Sequence, residues 1–268
     1  MIDECIHGLD VQACDVCRPR LRPEAPAGAA APVARRTAAS PAVRRNPARR
    51  APSLRGPAPS SRTGTTAAVP VLSALRGHHW THVRNLDAIL ADGALRAGAS
   101  PELDVSSEPT RARRAAAVVA GRPVSEQVPF ALSPLSSTWE SLRAGAVDGR
   151  WSAEARAARA TDFVVFVVPV PDLGGDFTVT DRDAGDPEAR VGEGREDAAA
   201  LVRRASLTDP DLLDAELLVP ERVDLSVVTL VGVANESVRD QIKQALADAG
   251  GPRPRVAVYP PWFRPQEA

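Results

Sequence analysis

Cysteine is nearly missing from this 268-residue sequence: there are three, Cys5, Cys14 and Cys17, all within the first seventeen positions. An odd number confined to one end cannot staple the rest of the chain, which argues against a secreted disulfide scaffold and for a reducing, cytoplasmic home. Long apolar runs are lacking too. No uncharged stretch approaches the roughly 18 residues that a membrane span needs, and the opening Met-Ile-Asp-Glu carries no apolar signal segment, so neither a membrane partner nor export is expected. Aromatic residues make up 4% of the chain, with Tyr259 the single tyrosine. Platforms for stacking unpaired bases are therefore scarce, and Trp80, Trp139 and Trp151 are the candidates. Lysine is represented by Lys243 alone among 33 basic residues, a bias that speaks of coding composition more than of chemistry.

Acidic residues are missing from one region. Between Arg18 and Arg62 there are eleven arginines and one acid, Glu24, a local balance of +10 within a chain whose net charge is -1, so the remainder carries -11. Residues 20–69 are Pro, Ala, Arg, Ser and Gly with hardly a large apolar side chain. They cannot bury enough surface to offset the entropy of ordering, and they read as a disordered linker. Three parts follow: a Cys/His cluster at 1–19, the linker at 20–69, and a folded domain at 70–268.

In the first part Cys5, His7, Cys14 and Cys17 are spaced C-x-H-x6-C-x2-C. Three thiolates and an imidazole can close a tetrahedral zinc shell with no position left for water, which describes a structural zinc knuckle. Scattered thiols and a redox pair are the alternatives. A knuckle followed by an arginine-rich tether suits the holding of nucleic acid through its phosphates; docking onto a protein is the other reading.

In the third part, Asn85 to Leu90 has amphipathic helical spacing closed by Gly93, and Thr110 to Val119 is a second helix candidate. The polar, Pro-bearing stretch Ser100 to Pro109 between them reads as a loop over a cleft. Phe163 to Pro169, Glu216 to Pro220 and Leu225 to Val233 read as strands, the first and third buried on both faces. Asn235 is placed to cap a helix over Glu236 to Ala249, ended by Gly250-Gly251, and Arg255 to Tyr259 is a last strand. The pattern is mixed α/β.

Three of the four histidines fall in His78-His79-Trp80-Thr81-His82. This reads as a polar cluster at the mouth of a helix, where backbone N–H groups could receive a pyrophosphate. A metal site on His79 and His82 and an ordinary surface cluster are rival readings.

The run H-x-T-H-x-x-N-L-x-x-I-L-x-x-G from His79 to Gly93 resembles the opening motif of the DarT family, bacterial toxins that ADP-ribosylate DNA bases. The likeness continues through Arg113-Arg114, Val128-Pro129-Phe130, Ser133-Pro134, Phe177 to Arg182, Ala215 to Val219, the Pro254-Arg255-Val256 strand and Trp262. It implies an ADP-ribosyltransferase-like mixed α/β fold, two small twisted sheets flanking an NAD cleft. It implies transfer of ADP-ribose from NAD to a thymine-like base of single-stranded DNA, with Arg114 and Glu216 catalytic. Arg114 would polarise or deprotonate the acceptor, and Glu216 would stabilise the transition state. The cofactor-binding positions would be His79, Trp80, Thr81, Asn85, Ala88 and Arg114, and an antitoxin macrodomain protein is an implied partner. The sequence departs from the family at Ala131 to Trp139 and at Asp183, where a histidine is common. RNA or protein as acceptor, a silent nucleic-acid-binding protein, and a metal-dependent hydrolase built on His78, His79 and His82 stay open as alternatives.

Overall fold

Phe163 to Pro169 (FVVFVVP) is β-branched and apolar on both sides of its backbone, and six of its seven residues are buried. Such a strand belongs in the middle of a sheet. In the computed structural model, which describes residues 70–265, it does lie within the eight-stranded main sheet. The zinc cluster and linker expected at 1–19 and 20–69 lie outside the described residues.

The elements run β1 (Arg76–His82), α1 (Leu86–Asp92), β2 (Ala94–Arg96), α2 (Glu108–Ala116), β3 (Val118–Val119), β4 (Arg122–Pro123), β5 (Gln127–Ala131) and α3 (Ser137–Arg143). They continue with α4 (Ala153–Ala157), β6 (Phe163–Pro169), β7 (Thr178–Thr180), β8 (Val191–Glu193), α5 (Gly194–Ala205) and β9 (Glu216–Pro220). Last come β10 (Arg222–Asp224), β11 (Leu230–Val233), α6 (Glu236–Ala249) and β12 (Arg255–Val258). The main sheet has the order β12-β11-β6-β1-β5-β9-β7-β8; β10 pairs with β2 and β3 with β4 in two small ribbons.

The expectation of two small sheets is corrected to one sheet with a seam. β1 pairs with β6 at seven positions but with β5 only at His78↔Ala131. The halves β12-β11-β6-β1 and β5-β9-β7-β8 therefore diverge after a single register pair. Side chains take over there from the main chain: the His79 ring lies 2.9 Å through Nδ1 from the Pro129 carbonyl, and His78 Nδ1 lies 3.3 Å from that of Ala131. Buried carbonyls need partners, and at the seam imidazoles supply them.

The helices cover the sheet where their apolar positions meet it. α5 and α6 bury Ala198, Leu201, Val202, Ile242 and Leu246 in one core with Phe130, Val164, Phe166 and Leu217. α3 and α4 join a second core of Trp139, Trp151, Ala155, Phe163 and Phe263. Asn235 caps α6 through Oδ1, 3.0 Å from the Val238 N–H, and Gly250 ends it at φ +68, as expected from sequence. The second helix begins earlier than expected, at Glu108, because Ser107 caps it, and it stops at Ala116 so that Val118 and Val119 enter a ribbon. Leu225 to Val227 forms a short 3-10 turn and only Leu230–Val233 is strand, so the third strand candidate is half as long as the sequence suggests.

Candidate active site

The histidine cluster does not sit at a helix mouth. His78 to His82 makes up the last five of the seven residues of β1, so alternate side chains face opposite sides of the sheet. His79 and His82 point apart, and His78 and His82, four residues along one face, are separated by roughly 13 Å of extended chain. That geometry overturns a metal centre built on these histidines.

A cross-strand row organises the site. His78 pairs with Ala131, Ala131 with Glu216, and Glu216 with Thr180, placing these side chains on one face across four strands. Where β1 and β5 part, the row opens into a cleft of about 230 Å³, lined among others by His78, His79, Trp80, Arg114, Asp183 and Glu216.

Glu216 and Arg114, 102 positions apart, meet as a bidentate pair: Nη2 donates to Oε1 at 2.8 Å and Nη1 to Oε2 at 3.1 Å. The Ala184 N–H adds a bond to Oε2 at 2.9 Å. On its other side, Arg114 Nη1 donates to Asp183 Oδ1 at 2.7 Å. Asp183 also accepts from Arg113 at 2.6 Å and from the Gly185 N–H at 2.9 Å. The Arg114 and Glu216 side chains are 20% and 16% exposed, a desolvated pair with charge-assisted bonds. Burial pulls the Arg114 pKa down, but Glu216 and Asp183 outweigh it and hold it above its ordinary value.

His79 is held below its ordinary pKa by burial, which exceeds the opposing pull of the Pro129 carbonyl. It is neutral near pH 7, and with its Nδ1–H directed at Pro129 the other ring nitrogen is an acceptor. His78 is pushed down to about 4, by burial first and then by the charge of Arg76, against the Ala131 carbonyl.

The sequence-based candidates separate into two groups. His79, Trp80, Arg114 and Glu216 line the cleft. Thr81 and Asn85 do not: both are buried beside it, where Asn85 Nδ2 bonds Thr81 Oγ1 at 3.1 Å and the Leu103 carbonyl at 3.0 Å, while Oδ1 receives the Leu103 N–H at 2.9 Å. Asn85 thus ties the loop after β2 to β1 and shapes the turn. Ala88 lies exposed on α1, away from the cleft lining. Trp139 and Trp151 line the cleft but are 1% and 5% exposed, and Trp80 is stacked on Trp139 at 3.8 Å, so their ring faces are occupied by packing and offer no open base platform. Asp183, noticed in the sequence only as a departure, is the site residue missed.

Solved structures share this architecture. Thermus sp. 2.9 DarT in complex with ADP-ribosylated ssDNA aligns with a TM-score of 0.61 at 22% identity, covering 71% of this chain and 96% of that one. The same protein in complex with carba-NAD⁺ aligns at 0.57 and 24% identity, covering 71% and 98%. Thermosipho africanus DarTG in complex with ADP-ribose aligns at 0.55 and 17% identity, over 70% of this chain and 50% of that one. No curated protein sequence matches. The class is therefore a mixed α/β fold similar to the DarT ADP-ribosyltransferases, with the Arg114–Glu216 pair at its cleft. Residues 78–264 match the model of the ssDNA thymidine ADP-ribosyltransferases, DarT, and the chain belongs to that family, whose members are NAD-dependent transferases.

Proposed function

We propose that the cleft binds NAD⁺ as a substrate and transfers its ADP-ribose to a thymidine base of single-stranded DNA, releasing nicotinamide. The bond broken joins the nicotinamide nitrogen to the ribose C1′. The bond formed joins C1′ to the base, which gives up a proton. The observation that carries this reading is the bidentate Arg114–Glu216 pair at the mouth of the sheet seam.

Glu216 stabilises the cationic character that develops on the ribose as nicotinamide leaves. Arg114 binds and polarises the acceptor or the dinucleotide phosphates. Glu216 and Asp183 favour its charged form, which supports polarisation of the acceptor over deprotonation as its role. His79 offers its acceptor nitrogen to the nicotinamide carboxamide, and Trp80, next along β1 and facing the opposite way, also lines the cleft. Thr81 and Asn85 act from beneath by fixing β1 and the loop at Leu103.

Cys5, His7, Cys14 and Cys17 hold a structural zinc, the chemistry of three thiolates and one imidazole being that of a closed zinc shell. The arginines of 20–69 supply the phosphate contacts that an acidic catalytic domain lacks. The protein acts in the cytoplasm, and a macrodomain antitoxin is its partner. Thermosipho africanus DarTG, in complex with ADP-ribose, supports a pairing of that kind only as a likeness.

The test is incubation with ³²P-labelled NAD⁺ and single-stranded oligonucleotides of DNA and RNA with and without thymidine. Label should enter only thymidine-containing DNA, and Glu216→Ala should reduce it by about 10²–10³-fold. Label on RNA alone would move the acceptor, and undiminished transfer by Glu216→Ala would sink the reading.

A further inference from the structure

Arg114 is gripped from two sides, and the two grips have different fates during the reaction. Two of its three side-chain contacts are to Glu216, at 2.8 and 3.1 Å; the third is to Asp183, at 2.7 Å. If the ribose of NAD⁺ engages Glu216 as proposed above, the first two contacts would weaken together. What then holds Arg114 in the cleft is Asp183.

The loop that carries Asp183 is built to stay in place. Thr180 is paired with Glu216 at the end of β7, and its Oγ1 bonds the Arg182 carbonyl at 2.7 Å, turning the chain back over the carboxylate. The Gly185 N–H aims Asp183 Oδ1 through a bond internal to the loop that does not depend on Glu216, while the Ala184 N–H reaches Glu216 Oε2. The loop runs close to both arginines: a Cβ on Gly185 would lie 3.2 Å from Arg113 Nε and 3.2 Å from Arg114 Cγ. α2, by contrast, buries no residue fully, so its arginines depend on what their own side chains grip. The Arg113 contact is half exposed and contributes little; the Arg114 contact is on the less solvated side of the carboxylate.

We propose that Asp183 is a positioning residue for ADP-ribose transfer, keeping the Arg114 guanidinium in register with the acceptor while Glu216 exchanges Arg114 for bound NAD⁺. The inference rests on the reading above in which Glu216 engages the nicotinamide ribose. Asp183 acts through Arg114 and through no contact of its own with the reacting atoms.

Asp183→Asn is the informative change, because its amide oxygen still accepts from the Gly185 N–H and preserves the loop while the charge facing Arg114 is lost. In the full-length protein kcat for transfer to thymidine-containing single-stranded DNA should fall 10-fold or more, with KM for NAD⁺ within threefold of wild type. Asp183→Glu, which restores the charge on a longer stem, should recover kcat to within about fivefold. A melting temperature close to wild type and unchanged quenching of tryptophan fluorescence by NAD⁺ accompany that result. Asp183→Asn with wild-type kcat overturns the positioning role, as does a rise in KM without loss of kcat, or an Asp183→Glu no better than Asp183→Asn. Wild-type protein that transfers nothing overturns the underlying reading and this inference with it, an outcome distinct from the other three.

Discussion

His78 and His79 sit where the sheet runs out of main-chain partners, and their protonation is tied to folding as well as to the ligand. Free in an unfolded chain, His78 takes a proton near pH 6.5; in the fold, burial delays this to about pH 4. The unfolded state therefore binds the proton first as pH falls. The contribution to stability is complete above about 6.5, drains away between 6.5 and 4, and changes no further below, and a shift of that size corresponds to roughly 3 kcal/mol. His79 and His82, both lowered with burial as the leading cause, act in the same direction. Thermal melts from pH 7.5 to 5 should show a falling midpoint, and His78→Gln should flatten the slope; an unchanged slope would remove His78 from the account. At this scale the resemblance singled out Arg114, Glu216, His79 and Trp80, all of which line the cleft. It singled out Ala88 as well, which lies on the solvent side of α1 and outside the cleft lining. It passed over Asp183, whose meaning lies in a contact 69 residues away.

Among the elements, those with a strong local signal were read correctly: Phe163–Pro169, Glu216–Pro220 and the capped helix Glu236–Ala249 have the bounds their sequences suggest. β1 was not, because Arg-Gly-His-His-Trp-Thr-His has little β-branched content and its strand character comes from pairing with β6 on one side. β7 and β8, three residues each, are too short for a period to show. Gly77 in β1 is a packing glycine: a Cβ there would lie 3.0 Å from Phe130 Cβ and 3.1 Å from its ring. Gly77→Ala should push β5 away from β1, destabilising the fold by about 1–3 kcal/mol, as overpacking does. It should also raise KM for NAD⁺, because the same two strands border the cleft. Chemical denaturation and steady-state kinetics on one preparation read both, and a variant as stable and as tight as wild type would show that Phe130 simply turns aside.

For the molecule as a whole, the chain combines a strongly basic stretch, +10 between Arg18 and Arg62, with -11 distributed over the rest. An acidic catalytic domain repels the DNA it must hold, and the phosphate contacts proposed for the basic stretch would divide that labour. The zinc expected ahead of it is measurable directly: metal analysis of full-length protein should find one zinc per chain, reduced to a small fraction in Cys14→Ser/Cys17→Ser, with transfer of ADP-ribose to short oligonucleotides largely kept. A metal-free wild-type protein would leave the four ligands as plain thiols and an imidazole. Lastly, the lone register pair between β1 and β5 has a mechanical meaning. Seven paired positions tie β1 to β6 along its length, whereas a single one ties β1 to β5, so the main-chain ladder is thinnest along that seam, as a crease is in a folded plate. If the cleft widens to admit a long dinucleotide, that crease is where the fewest ladder bonds need to change, and admission of substrate is then expected to track how freely it flexes.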